Sequence, residues 1–98
     1  MLKKKPVKKS DKTSVTFEIE GFETADKMCL VGEFNDWQLT KTPMKRRKDG
    51  AWAANVRLPN AARYEYCFVV DDRDWMVDDQ ADEVVPNPFG GKNSVVVL

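Results

Sequence analysis

Two tryptophans lie at polar turns, where full burial of so large a side chain is difficult. Trp37 closes the turn over residues 32–37, and Trp75 closes the turn over residues 70–75. Each turn follows a short apolar run with the pattern of a strand. A partly exposed indole can stack its face on the C–H groups of a sugar ring at low conformational cost. The residues alone leave open the alternative that one or both indoles cover the end of the core.

Amide side chains near these turns could orient a bound sugar, because an amide both donates and accepts hydrogen bonds. Asn35 precedes Trp37, and Asn93 precedes the last apolar run. For Asn93, capping of the backbone before a strand is an open alternative. The third tryptophan, Trp52, alternates in phase with apolar residues and is therefore predicted to lie in the core.

Residue types that carry catalysis or bind metals are scarce. The chain has no histidine, and its serines fall in a tail or at strand starts, so we predict no catalytic residue and no enzyme activity. The acidic residues over 71–83 match no calcium-loop spacing and are typical of turns. Cys29 and Cys67 form no Cys-x-x-Cys pair, so we predict no metal or cofactor. Reduced thiols without an export signal indicate a cytoplasmic protein, although a disulfide stays open.

Charge is unevenly distributed along the 98 residues, a length that predicts one domain. Sixteen basic residues balance sixteen acidic ones, but residues 1–12 hold six of the lysines and a single acid. Residues 1–13 are predicted to be a disordered Lys-rich arm, with an electrostatic tether as the alternative. The domain over residues 14–98 is acidic, which argues against nucleic-acid binding. No apolar run is long enough to span a membrane, and no membrane partner is expected.

Period-two alternation indicates strands rather than helices. Residues 14–20, 27–31, 51–58, 63–70 and 94–98 read as strands, with shorter ones at 44–48 and 75–77. Asp49-Gly50 is a hairpin turn signal, and residues 78–91 are predicted to form a long ordered loop. About seven short strands, with turns every eight to twelve residues, predict an all-β antiparallel sandwich.

Several segments together resemble family-48 carbohydrate-binding modules. Residues 28–37 resemble the family segment "φ-x-φ-x-G-x-F-N-x-W", and further matches lie at residues 50–52, 58–59, 64–71, Trp75 and 87–95. The family includes the glycogen-binding domain of the AMP-activated protein kinase β subunit and the N-terminal domains of isoamylase and branching enzymes. The resemblance covers residues 14–98. It implies an early-set, immunoglobulin-like β-sandwich that binds α-1,4-glucan such as glycogen, starch or malto-oligosaccharide.

The resemblance also implies roles for individual residues. Trp37 and Trp75 would stack on glucose rings, Asn93 would hydrogen-bond sugar hydroxyls, and Phe89 would reach around the glucan. Cys67 stands where the family has a lysine or arginine that contacts sugar. By alternation Cys67 faces outward beside Trp75.

Three departures from the family pattern bear on this site. The change at Cys67 removes one charge-assisted hydrogen bond, at a cost of about 1.5–3 kcal/mol. The turn over residues 71–74 is one residue longer than usual, and Gly91 replaces a side chain that donates to sugar in some members. We therefore expect any failure of sugar binding to occur on the Trp75 side.

Two functions follow from these observations. The leading hypothesis is non-catalytic binding of α-1,4-glucan by a monomer, with a glucan-active enzyme or a regulatory protein as a further partner. The second is a module of the same fold that has lost sugar binding and docks a protein. Cys67 and the basic run over residues 45–48 motivate the second hypothesis.

Overall fold

The computed structural model describes residues 2–98, which form two packed antiparallel sheets. One sheet has the strand order β1-β2-β5-β4 and the other has the order β3-β6-β9-β8, with β7 paired alongside β6. This confirms the predicted all-β, immunoglobulin-like antiparallel sandwich, with nine strands in residues 2–98 rather than about seven. The strands are β1 (Leu2–Pro6), β2 (Lys12–Ile19), β3 (Met28–Gly32), β4 (Lys45–Arg46), β5 (Trp52–Pro59), β6 (Arg63–Val70), β7 (Asp74–Met76), β8 (Glu83–Pro86) and β9 (Lys92–Val97).

The core lies between the sheets and follows the alternation of the sequence. Phe17 of β2 and Tyr66 of β6 are fully buried, with ring centroids 4.9 Å apart at an interplanar angle of 71°. Trp52 is buried as predicted, and its Nε1 donates to Phe22 O at 2.8 Å. Because alternate residues of each strand face this core, the remaining ones face outward and are available for other contacts.

The N-terminal lysines form a strand, which corrects the prediction of a disordered arm over residues 1–13. Leu2–Pro6 pairs antiparallel with β2. Lys4 Nζ donates to Asp82 Oδ2 at 2.6 Å. A carboxylate that is distant in sequence therefore offsets the positive charge of this lysine. Met1 lies outside the described residues.

The segment predicted as a long loop over residues 78–91 contains the edge strand β8. Val85 of β8 lies opposite Asn93 of β9, and Pro86 ends the strand, where a missing N–H is tolerated. The predicted basic edge strand is present but shorter, as β4. Within residues 2–98 there is no helix long and apolar enough to cross a membrane.

Candidate functional site

A second apolar cluster covers part of the outer face of the sheet that contains β3 and β6. Cys29 and Val31 of β3 pack with Cys67 and Val69 of β6, and all four side chains are buried. Trp37, with Leu39, lies over them from the segment that follows β3. Cys67 thus faces outward as predicted but is only 3% exposed. This covered face is the base of the candidate site.

The turn that carries Trp37 is built around one buried side chain. After β3 the chain enters a 3₁₀ turn over Glu33–Asn35. Asn35 Oδ1 accepts from Gly32 N at 2.9 Å, and Asn35 Nδ2 donates to Leu30 O at 2.9 Å. These bonds leave Asn35 buried beneath the turn, which corrects its expected role as a sugar-orienting amide. Trp37 emerges half-buried at the end of the turn.

Trp75 is positioned by a hairpin. The lengthened turn includes Asp71 and Asp72, both with positive φ (52° and 59°). Asp71 Oδ1 also accepts two backbone N–H groups, each at 2.9 Å, from the residues just before β3. Trp75 lies opposite Val69, so its side chain shares the outer face with Cys67. The Trp75 side chain is 52% exposed.

Asn93 sits within a network of hydrogen bonds on the same face. Its Oδ1 accepts from Asn87 Nδ2 at 3.2 Å and from the Cys67 thiol at 3.3 Å. Its Nδ2 donates to Glu65 Oε1 at 3.1 Å. Burial raises the pKa of the Cys67 thiol, which keeps its donor proton at neutral pH. The amide is therefore held in one orientation by neighbours on β6 and on the loop before β9.

These elements surround a groove of about 690 Å³. Phe89, 95% exposed, stands on the loop between β8 and β9 at its rim. The structure thus brings all five residues singled out from the sequence to one groove, although they come from four separate segments of chain. Those residues are Trp37, Cys67, Trp75, Phe89 and Asn93.

Sequence reasoning missed several groove residues. Glu65 lies two residues before Cys67 on the outward face, and its backbone N donates to Glu33 Oε1 at 2.7 Å. Alternation along β6 was a sufficient signal for Glu65. Asn87 opens an Asn-Pro-x-Gly-Gly run, and this turn signature was the available signal for its place beside the groove. With indoles, amides and carboxylates, the groove can stack on apolar ring faces and exchange hydrogen bonds with hydroxyls.

In the part of the chain that the structure describes, there is no group of three His, Cys, Asp or Glu side chains placed to hold a metal ion. Both cysteines are free thiols there.

Comparison with known proteins gives consistent matches. The family model of carbohydrate-binding module 48 (isoamylase N-terminal domain) matches residues 8–89. A 1,4-alpha-glucan branching enzyme GlgB from Lactobacillus acidophilus is 38% identical over 77 residues, covering 74% of this chain and 11% of that protein. A 1,4-alpha-glucan branching enzyme GlgB 2 from Xanthomonas campestris pv. campestris (strain 8004) is 35% identical over 49 residues, covering 49% of this chain and 7% of that protein. The chain thus spans about a tenth or less of the length of these curated relatives.

Proposed function

The chain belongs to the carbohydrate-binding module 48 family, and from that premise we propose that its groove binds α-1,4-glucan without catalysis. Trp37 and Trp75 stack on glucose rings, Asn93 donates to a sugar hydroxyl, Phe89 walls the groove, and Cys67 contacts the sugar from the floor. The observation that carries the proposal is the convergence of two indoles, an amide and an exposed phenyl ring on one groove.

Stacking is the main source of affinity in this proposal. Trp75 exposes more than half of its surface, and Trp37 is half-buried against the outer cluster formed by Cys29, Val31, Cys67 and Val69. Each ring therefore keeps a free face, and little side-chain freedom is lost when a sugar binds. The position beside Trp75 holds a thiol where a charged donor would add a strong hydrogen bond. We therefore expect weak binding, with a dissociation constant on the order of 1 mM, which is about −4 kcal/mol.

The ligand class follows from the same groups. Glycogen, starch and malto-oligosaccharides are uncharged, and the groove meets them with carboxylate and amide groups suited to hydroxyls. In this proposal the protein acts as a cytoplasmic monomer that tethers a glucan. A glucan-active enzyme is the expected further partner, because the relatives are branching enzymes of far greater length.

Titration with maltoheptaose or β-cyclodextrin, followed by amide chemical shifts, tests the proposal. Trp75→Ala should abolish measurable binding at 5 mM sugar, on the order of five times the expected dissociation constant, while the unfolding midpoint stays nearly unchanged. Met76→Ala is the matched control, because Met76 is also exposed on β7 but lies opposite the core residue Phe68 and so faces away from the groove. Trp37→Leu keeps an apolar cover over the outer cluster and should also abolish binding.

Two results would contradict the proposal. The first is an absence of shift changes in the unaltered chain at millimolar maltoheptaose. The second is equal binding by the Trp75→Ala and Met76→Ala variants. Cellohexaose, a β-linked glucan, controls for nonspecific stacking and should bind more weakly than maltoheptaose.

Docking of a protein through the basic run has less support. Arg46 lies over the Trp52 ring, with its guanidinium carbon 5.5 Å from the ring centroid. Arg47 pairs with Glu18 at 2.5 Å and with Asp49 at 3.2 Å. Both guanidinium groups already have partners within the domain. A second protein would therefore gain less binding free energy by pairing with them.

A further inference from the structure

Asn87, which lies outside the predicted site residues, holds two parts of the groove at once. Its Oδ1 accepts from Phe89 N at 2.9 Å and from Gly91 N at 3.1 Å. Its Nδ2 donates to Asn93 Oδ1 at 3.2 Å. A backbone bond from Asn87 N to Gly91 O at 2.9 Å closes the base of the same loop. One amide therefore ties the loop tip to the strand that carries Asn93.

The position of Phe89 depends on this loop rather than on packing. Because its side chain is 95% exposed, its own contacts hold the ring very little. The loop winds closely around the Asn87 amide, since a Cβ added at Gly91 would lie 3.3 Å from Asn87 Nδ2. Without the two side-chain bonds, the loop would have to be ordered when ligand binds, which lowers affinity.

Asn93 depends on Asn87 in a second way. The bonds that Asn93 Oδ1 accepts turn its Nδ2 toward Glu65, at 3.1 Å. An amide nitrogen has two N–H groups, so one remains for a ligand hydroxyl. Loss of the bond from Asn87 weakens the preference for this orientation.

We propose that Asn87 is the positioning residue of the groove, an inference that rests on the proposed glucan binding. It fixes the Phe89 loop and the Asn93 amide before the ligand arrives. Its effect on affinity is exerted through those two residues.

Dissociation constants for maltoheptaose test this role, measured by amide shifts where every variant is folded. Asn87→Ala should weaken binding about tenfold, because the entropy cost of ordering the loop then reduces the binding free energy. Asn87→Asp keeps an acceptor for the two loop amides but turns a second acceptor toward Asn93 Oδ1, so it should retain the contribution of Phe89 and lose that of Asn93. The matched control is Asn55→Ala on the other sheet, where Asn55 Nδ2 donates to Ser14 Oγ at 2.8 Å. The affinity of that variant should equal that of the unaltered chain.

A double-mutant cycle separates positioning from a merely structural role. Phe89→Ala should weaken binding in the unaltered background and have little further effect in the Asn87→Ala background. Equal factors in the two backgrounds would overturn the inference, as would an Asn87→Ala affinity within twofold of the unaltered chain. Either result leaves the proposed function standing, whereas no binding by the unaltered chain overturns both.

Discussion

The tie between the N-terminal strand and the end of the chain can be broken with a single atom change. Asp82 Oδ2 accepts from Lys4 Nζ at 2.6 Å and from Val97 N at 2.7 Å, so it joins β1 in one sheet to β9 in the other. Asp82→Asn removes the charge and keeps the size of the side chain. We expect it to loosen β1 and lower the free energy of unfolding.

The magnitude follows from the exposure of the pair. Buried hydrogen bonds to a charged group contribute about 1.5–3 kcal/mol, whereas exposed ion pairs contribute about 0.2–1 kcal/mol. The side chains of Lys4 and Asp82 are 34% and 30% exposed, between these limits. We therefore expect a loss of about 1–1.5 kcal/mol. For a domain of this size, that loss lowers the midpoint of thermal unfolding by roughly 5–10 °C.

The pKa of Asp82 determines how the stability difference between the two proteins varies with pH. Burial pulls the pKa of Asp82 upward, but hydrogen bonds from Lys4 and Val97 outweigh it, so the pKa lies below its ordinary value. A depressed folded-state pKa contributes stability above the unfolded-state pKa of about 3.9, and that stability is lost as the pH falls through the folded-state value. The difference between Asp82→Asn and the unaltered chain should therefore be full at pH 7 and shrink as the pH falls below the unfolded-state pKa of about 3.9.

Urea unfolding of both proteins at pH 7 and at pH 2.5 measures this difference. Asp79→Asn is the matched control, because Asp79 is an exposed acid of the same segment, and it should change stability by less than about 0.5 kcal/mol. Equal stability of Asp82→Asn and the unaltered chain at pH 7 would refute the reasoning. A deficit of the same size at both pH values would also refute it, since the charge would then not be the cause.

Two further predictions concern the Trp37 turn. Asn35→Ala removes, in a buried position, the bond that Asn35 Oδ1 accepts from Gly32 N and the bonds that Asn35 Nδ2 donates to Leu30 O and Thr42 Oγ1. It should lower the free energy of unfolding by about 2–4 kcal/mol in urea titrations. An unchanged urea midpoint would show that the side chain does not hold the turn. Gly32→Ala would bring a Cβ within 2.7 Å of Glu65 O, so it should cost about 1–3 kcal/mol by thermal unfolding, and wild-type stability would contradict the close approach.

Alternation allowed much of the sandwich to be predicted from the sequence. Trp52 is assigned to the core because it alternates in phase with other apolar residues, and the structure confirms this assignment. Cys67 was assigned to the outward face by the same count. Cys67 faces outward but is buried, because the segment that carries Trp37 and Leu39 packs over it. Alternation along a strand does not show whether another segment covers that face.

The misassigned segments depend on contacts that are distant in sequence. A run of lysines reads as disordered until Asp82 supplies a carboxylate from 78 positions away. The acidic and Pro-rich composition around β8 hid a strand that is stabilised by pairing with β9. The expected ligand contact of Asn35 was wrong, because the sequence does not give the direction of a side chain at a turn. Its side chain points inward and donates to the backbone at Leu30 O.

The unequal burial of the two indoles has a consequence for how the protein tolerates mutation. Trp37 covers the apolar cluster that contains Cys67, so a substitution by a small or polar residue disturbs folding and the groove together. Trp75 stands on a three-residue strand with half its surface free, so its loss leaves the fold almost untouched. Selection for stability alone would therefore retain Trp37 and let Trp75 drift. If the groove binds glucan as proposed, a descendant of this chain released from that ligand should keep its shape and lose glucan binding first at the Trp75 end of the groove.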